Sequence, residues 1–257
     1  LFAPALKYGF MDIDDVQYTI ETPQVTEGLS LTNIRWAFST VHESWYSPLL
    51  WISFMADSTF LGTAPFGYRI TNLLLHALNA ALLFWILLRL FRSPIAAFFA
   101  AALWSLHPLR VESVVWIAER KDVLSGFFFL LALLAYLRHA EHPSRARMTA
   151  VILAMTAGML SKTILVVLPP LLLLLDAWPL RRAAFPDSRA RLAAWRPLLA
   201  EKIPLFLLML AGMALTLWTH REAHINSPPM SVIGRLGLIA PTVVAHARQS
   251  LLPAHLS

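Results

Sequence analysis

The sequence predicts an all-α protein, a polytopic bundle of transmembrane helices, and two observations carry that prediction. Only 14% of its 257 residues are charged and 58% are hydrophobic, with a mean hydropathy of +0.61, whereas soluble globular domains carry about 25% charged residues. From Arg69 onward the hydrophobic residues gather in long runs separated by short charged turns. That is the pattern of a chain whose backbone polar groups are satisfied inside helices in lipid. A net charge of +6 and a pI near 10.1 raise nucleic acid as a partner. The basic residues fall in short loops between apolar runs, as the positive-inside rule expects, so no nucleic acid is expected to bind. Cysteine is absent, which excludes a disulfide framework and thiolate metal sites. The chain opens on Leu1 without the basic segment and short apolar core of a signal peptide, and it reads as a fragment trimmed at both ends.

Residues 1–68 contain no run near the roughly 20 apolar residues a spanning helix needs. They are expected to form one acidic extramembrane loop, and residues 69–257 the helical bundle. Asp12, Asp14 and Asp15 stand near the start of the loop, followed by Glu21, Glu27 and Glu43. Ser47-Pro48 has the form of an N-cap followed by proline at the first helical position. The run LLWISFMA after it is too short to span, and with Trp36, Trp45, Tyr46 and Trp51 nearby it is expected to lie in the headgroup zone. About seven spans follow, near 69–91, 94–107, 122–138, 148–161, 163–178, 203–219 and 231–251, with Pro169-Pro170 interrupting the fifth. Alternate loops differ in basic content. Arg89 and Arg92, then Arg138, Arg145 and Arg147, then Arg181, Arg182, Arg189, Arg191, Arg196 and Lys202 mark one side as cytoplasmic. Residues 1–68, the 107–122 stretch, the Ser161-Lys162 turn and the loop holding His220, Glu222 and His224 then face a periplasm or lumen. Residues 185–200, with Arg189, Arg191 and Arg196, fit an amphipathic helix on the inner leaflet and read most simply as a linker.

Chemistry concentrates in HPLRVESVVWIAERKD, residues 107–122, where His107, Arg110, Glu112, Glu119, Arg120, Lys121 and Asp122 lie between two apolar runs. Ionisable groups are costly in hydrocarbon, so a cluster of both signs at a membrane face is a functional-site hypothesis. Glu112, Trp116, Glu119 and Arg120 fall at helical spacings and would share one face of a short interfacial helix. Arg120 and Lys121 offer a forked donor and a point charge, a combination suited to phosphate. Asp122 reads as an N-cap. Lys162, with no acid close in sequence, is either a snorkelling lysine or a phosphate ligand. Asn72, His76 and Asn79 form a polar stripe suited to helix packing. Asp14 and Asp15 are candidate general bases for a hydroxyl. The one cofactor the residues suggest is a divalent cation held by His107, Glu112 and an aspartate, without a spacing as specific as HExxH.

Together the segments DDVQY, WYSPLLWISFMADSTFLG, YRITNLLLHALNAALLF, HPLRVESVVWIAERKDVLSGFFFLLALLAY, MLSKTILVVLPPLLLLLDAWPL and LLPAHLS resemble the membrane portion of the transmembrane and tetratricopeptide-repeat-containing family. Its members are O-mannosyltransferase-like enzymes of the GT-C fold. The resemblance implies a polyprenyl-phosphate sugar donor and action on the outer or lumenal face. It implies Asp14 as catalytic base with Asp15 beside it, and Glu112 as a further catalytic candidate. Arg120, Lys121 and Lys162 fall to the donor phosphate, with His107 and Arg110 in support. The helix that should precede Asp14, later helices and the repeats are expected to lie beyond the two ends.

The expectation is an integral membrane glycosyltransferase of a bacterial inner membrane or ER-type membrane. It moves a sugar, mannose by resemblance, from a polyprenyl phosphate to a hydroxyl acceptor such as Ser or Thr of an exported protein. Two other classes fit the composition: a non-catalytic scaffold that anchors repeats, and a flippase of lipid-linked sugars. Neither needs an acidic loop facing basic phosphate ligands, and a flippase needs polar residues along a path through the bilayer.

Overall fold

The structure, a computed structural model, describes residues 2–11, 14–42, 44–182, 188–221 and 232–251. Asp12, Glu43, Glu222, His224, the segment 252–257 and the side chains of Arg189 and Arg191 lie outside the described residues. Among the described residues all regular structure is helical. A 3₁₀ turn, Ala3–Lys7, leads into α1 (Asp15–Thr19), α2 (Pro23–Thr26), α3 (Leu31–Ser39) and α4 (Pro48–Leu61). The bundle follows as α5 (Pro65–Phe91), α6 (Pro94–Leu106), α7 (Arg110–Val115), α8 (Arg120–Glu141) and α9 (Arg145–Met159). After a second 3₁₀ turn, Thr163–Val167, come α10 (Leu168–Ala177), α11 (Ser188–Ala200), α12 (Ile203–Thr219) and α13 (Val232–Leu251).

Local chemistry sets the boundaries. Proline opens α2, α4, α5 and α6 in the first turn, where a missing N–H costs nothing. The side chains of Ser30, Ser93 and Ser144 accept backbone N–H bonds at the starts of α3, α6 and α9. Pro169-Pro170 lies in the first turn of α10, where the fifth run passes from the 3₁₀ turn Thr163–Val167 into α-helix.

All seven apolar runs return as helices, and they differ in length. Among the described residues only α5, with 27 residues, and α8, with 22, are long and apolar enough to cross a membrane. A third is reached if Ala194–Ala200 and Ile203–Thr219, bent by 49°, count as one. The reason is length. α6 has 13 residues and α9 has 15, so at 1.5 Å per residue they extend about 20 and 22 Å, short of the roughly 30 Å hydrocarbon core.

Two apolar cores result. One, with Tyr136, Met155, Leu165, Leu168 and Leu205, joins α8, α9, α10 and α12. Glycine permits its tightest contacts: a Cβ at Gly158 would lie 2.1 Å from Leu165, and one at Gly212 would lie 1.9 Å from Met159. The second core, with Tyr18, Trp51, Phe54, Tyr68, Ile117 and Ala118, fastens the first 61 residues onto the start of α5 and the α7–α8 turn. The polar stripe of α5 is buried between helices. Asn79 donates to the Val123 carbonyl (2.8 Å), His76 Nε2 lies 2.9 Å from the Ser105 carbonyl, and Asn72 accepts from Arg120 (2.7 Å).

Candidate functional site

The start of α8 is where the candidate residues meet. α7 stops at Val115 and Trp116 is extended, so α8 begins afresh at Arg120. The single helical face expected for Glu112, Trp116, Glu119 and Arg120 therefore does not exist. Glu112 is exposed on α7, with no ion pair among the described residues.

The acidic loop folds onto the α7–α8 turn, and its two aspartates part company there. Asp15 is fully buried; Oδ2 accepts from the Met11 amide and Oδ1 from the Ala118 amide, both at 3.0 Å. Arg69 stands 3.8 Å away, itself buried, donating to the Tyr8, Gly9 and Val115 carbonyls. Burial pushes the Asp15 carboxyl above the ordinary carboxylate range, against the smaller opposing pull of the two amides and Arg69. Asp14 is half-buried at the N-cap of α1, and its carboxylate makes no side-chain bond to the helix. One aspartate is a structural tie and its neighbour is left available.

Arg120 requires a correction. Expected to meet a phosphate, it is wholly buried, 2.5 Å from Asp57. It also donates to Asn72 Oδ1 (2.7 Å), the Tyr68 carbonyl (2.6 Å) and the Ser53 carbonyl (3.2 Å), and lies over the Phe54 ring. A guanidinium with both forks engaged has nothing left for a ligand. No signal in the sequence separated Arg120 from Lys121, because its partners Asp57 and Asn72 lie about 50 to 60 residues away in the chain.

The accessible cations are Arg110, Lys121 and Lys162. Lys121 pairs with Glu119 at 3.0 Å and faces the Tyr18 ring. Lys162 is extended just after α9, pairs with Asp122 and lies 3.8 Å from Glu119. Asp122 is thus no N-cap: it sits in the first turn of α8, ion-paired to Lys162 and accepting from the Ser113 hydroxyl at 3.0 Å. Arg110 lies over the Trp104 ring, and its Nε is buried without a hydrogen-bond partner. Arg110, Lys162 and Asp122 line one cavity of about 360 Å³, whose remaining wall includes Phe129, Ile164 and Val167. His107 ends α6, with Nδ1 accepting from the Leu109 amide at 3.3 Å. Among the described residues no group of three or more His, Asp or Glu is gathered that could hold a metal ion, so the set imagined around His107 and Glu112 is not assembled.

Residues 48–194, more than half of the chain, match the family model described as dolichyl-phosphate-mannose-protein mannosyltransferase. The chain belongs to that family. Within this mannosyltransferase family it is similar to protein O-mannosyl-transferase TMTC1 of Mus musculus, 34% identical over 141 residues, which are 50% of this chain and 14% of that protein. It is 40% identical to protein O-mannosyl-transferase tmtc2 of Xenopus laevis over 100 residues, 39% of this chain and 12% of that protein. With protein O-mannosyl-transferase Tmtc1 of Drosophila melanogaster it shares 30% identity over 170 residues, 63% and 20% of the two chains. The chain therefore spans between 12% and 20% of the length of these relatives. The names agree with the transmembrane and tetratricopeptide-repeat-containing family that the motifs resemble. No solved structure matches the chain.

Proposed function

We propose that the chain carries the donor-binding and base-bearing part of an integral membrane glycosyltransferase. It would transfer a sugar, mannose by kinship, from a polyprenyl phosphate to a hydroxyl acceptor such as a protein Ser or Thr, on the periplasmic or lumenal face. Residues 1–68 form the outer loop of this reading and residues 69–257 the bundle. The observation that carries it is the cavity beside α8. A lipid-linked phosphate needs a cationic head and an apolar trough, and Arg110 and Lys162 share a cavity with Phe129, Ile164 and Val167. Arg110 brings an uncommitted donor, which suits a phosphate oxygen. Lys121 supports from the turn that also receives the acidic loop.

In the reaction the acceptor oxygen attacks the anomeric carbon while the bond from that carbon to the phosphate oxygen breaks. The hydroxyl proton passes to the Asp14 carboxylate, and the polyprenyl phosphate leaves with the bonding electron pair. Direct displacement inverts the anomeric configuration. Asp14 is preferred over Asp15 because both Asp15 oxygens are held by backbone amides. Glu112, exposed on α7, stays a further catalytic candidate, and His107 a supporting residue.

The test uses the full-length protein. Asp14→Asn should lower turnover about 10²- to 10⁴-fold with donor affinity nearly unchanged. Arg110→Ala and Lys162→Ala should each weaken donor binding roughly ten- to a hundredfold, as a charge-assisted contact of about 1.5–3 kcal/mol requires. Normal turnover in Asp14→Asn, with donor binding untouched by both cation variants, would leave a scaffold as the better reading.

A further inference from the structure

The cavity beside α8 holds an anion that sugar transfer does not require. Asp122 lines it together with Arg110 and Lys162. Its carboxylate is held in place twice, by the ion pair to Lys162 and by the Ser113 hydroxyl at 3.0 Å. Ser113 is buried, and it belongs to α7 while Asp122 belongs to α8, so the acid is braced between two elements. Glu119, 3.8 Å from Lys162, is neutralised by Lys121 at 3.0 Å. Two cations and one fixed anion leave the cavity with a single net positive charge.

That charge matches one class of ligand. A sugar joined to a lipid through one phosphate is a phosphodiester with one negative charge. The lipid monophosphate released by transfer is a monoester with a second pKa of about 6, so at neutral pH it is largely a dianion. A sugar joined through a diphosphate carries at least two charges from the start. We infer that Asp122 is a charge selector, a specificity-determining residue that makes the site accept monoanionic phosphodiesters and disfavour dianions. The inference rests on the proposed donor cavity. Its chemical consequence is twofold: diphosphate-linked lipids are held less tightly than the diester, and so is the spent lipid once the sugar has left. The cause is electrostatic: a dianion costs more to desolvate than a monoanion, and Asp122, which offsets one of the two cations, reduces what each extra ligand charge gains from them. At an effective dielectric of about 20 to 40 this amounts to a tenfold effect or more per charge.

The experiment measures binding of three probes to the full-length protein in nanodiscs at about pH 8. They are methyl farnesyl phosphate, a monoanionic diester; farnesyl phosphate, a dianion; and farnesyl diphosphate. The wild type should bind the diester at least as tightly as the other two. Asp122→Asn is isosteric and keeps an oxygen for Ser113. It should tighten the monoester and the diphosphate about tenfold more than the diester. Asp122→Glu, which retains the charge, should retain the wild-type ranking. If Asp122→Asn shifts all three probes equally, or if Asp122→Glu loses the ranking as Asn does, the selector role is overturned. The cavity reading then still stands provided that Lys162→Ala weakens all three. Should Lys162→Ala and Arg110→Ala leave every probe unchanged, the cavity is not the donor site and both readings fall together.

Discussion

At the start of α8, Arg120 and Asp57 form a 2.5 Å pair surrounded by Asn72, Thr71 and backbone carbonyls. About 24 to 28 Å further along the same helix, Tyr136 and His139 enter a second network. There the fully buried Asp176 accepts from Tyr136 (2.6 Å), Lys202 (2.5 Å) and Arg182 (3.2 Å). Glu201 joins it to Arg182 (2.7 Å), Lys202 (2.9 Å) and His139 (3.3 Å). The far network sets two acids against two cations, each with a protein partner. The near end has a closed pair too, but next to it Arg110, with its Nε unpartnered, and Lys162, paired to Asp122, line a cavity, and Asp14 is half-buried at the start of α1. The contrast separates charges that hold helices together from charges that can receive a ligand. Density of charge in the sequence does not make that distinction; closure of the network does.

The sharpest way to break the comparison is to open both closed networks. Removing one member of a buried pair leaves the other charge uncompensated and costs about 3–5 kcal/mol. Arg120→Ala and Lys202→Ala should therefore destabilise the protein by comparable amounts, read by denaturant unfolding in detergent. Lys202→Ala should leave donor affinity per folded molecule unchanged. An Arg120→Ala protein that is as stable as wild type but blind to donor would return Arg120 to the phosphate and erase the distinction drawn here.

How much of this the sequence discloses follows from the range of each interaction. Helix positions are legible because proline, serine caps and apolar runs act within a few residues. The gathering of the acidic loop, the 107–122 stretch and Lys162 at one end is legible from loop charge alone. Span number is not, because a run such as Ala96–Leu106 looks the same whether it crosses the bilayer or stops at 13 residues. The roles within the cluster are hidden for a related reason. Arg120 and Lys121 are adjacent, yet one is sealed by Asp57 and the other faces Tyr18. Lys162 looks isolated until Asp122, 40 residues earlier, supplies its acid. Partner choice at such separations is a property of packing.

Asp15 sharpens the comparison through pH. Its native carboxyl titrates above the ordinary value of 3.8 because burial disfavours the anion. The folded protein therefore binds this proton more tightly than the unfolded chain. The stability linked to it is fully present below the ordinary value and is lost as pH rises through the raised native value. Relative to Asp15→Asn, which does not titrate, the wild type should gain stability as pH is lowered from neutral towards the ordinary value of 3.8. A stability difference independent of pH would mean that burial does not hold the Asp15 carboxyl above its ordinary range.

The smallest expected effect tests whether closure or mere pairing matters. Arg89 donates from one nitrogen to both oxygens of Glu141, at 3.0 and 3.1 Å, at the same end of the bundle as the Asp176 network. By distance alone this pair resembles Lys202 with Glu201 at 2.9 Å. Burial is the difference: the Arg89 and Glu141 side chains are 36% and 52% exposed, whereas Lys202 is fully buried. In water the Coulomb gain is screened, and holding two long side chains costs entropy, so an exposed pair contributes about 0.2–1 kcal/mol. Arg89→Ala should fall in that range, and raising salt from 0.1 to about 1 M, which shortens the Debye length from about 10 to 3 Å, should abolish most of the difference from wild type. The Lys202→Ala deficit should persist at high salt because counterions do not reach a buried site. If the two variants lost comparable stability and responded alike to salt, solvent would be reaching the Asp176 network. The distinction between closed and open ends of α8 would then have to be drawn from the cavity alone.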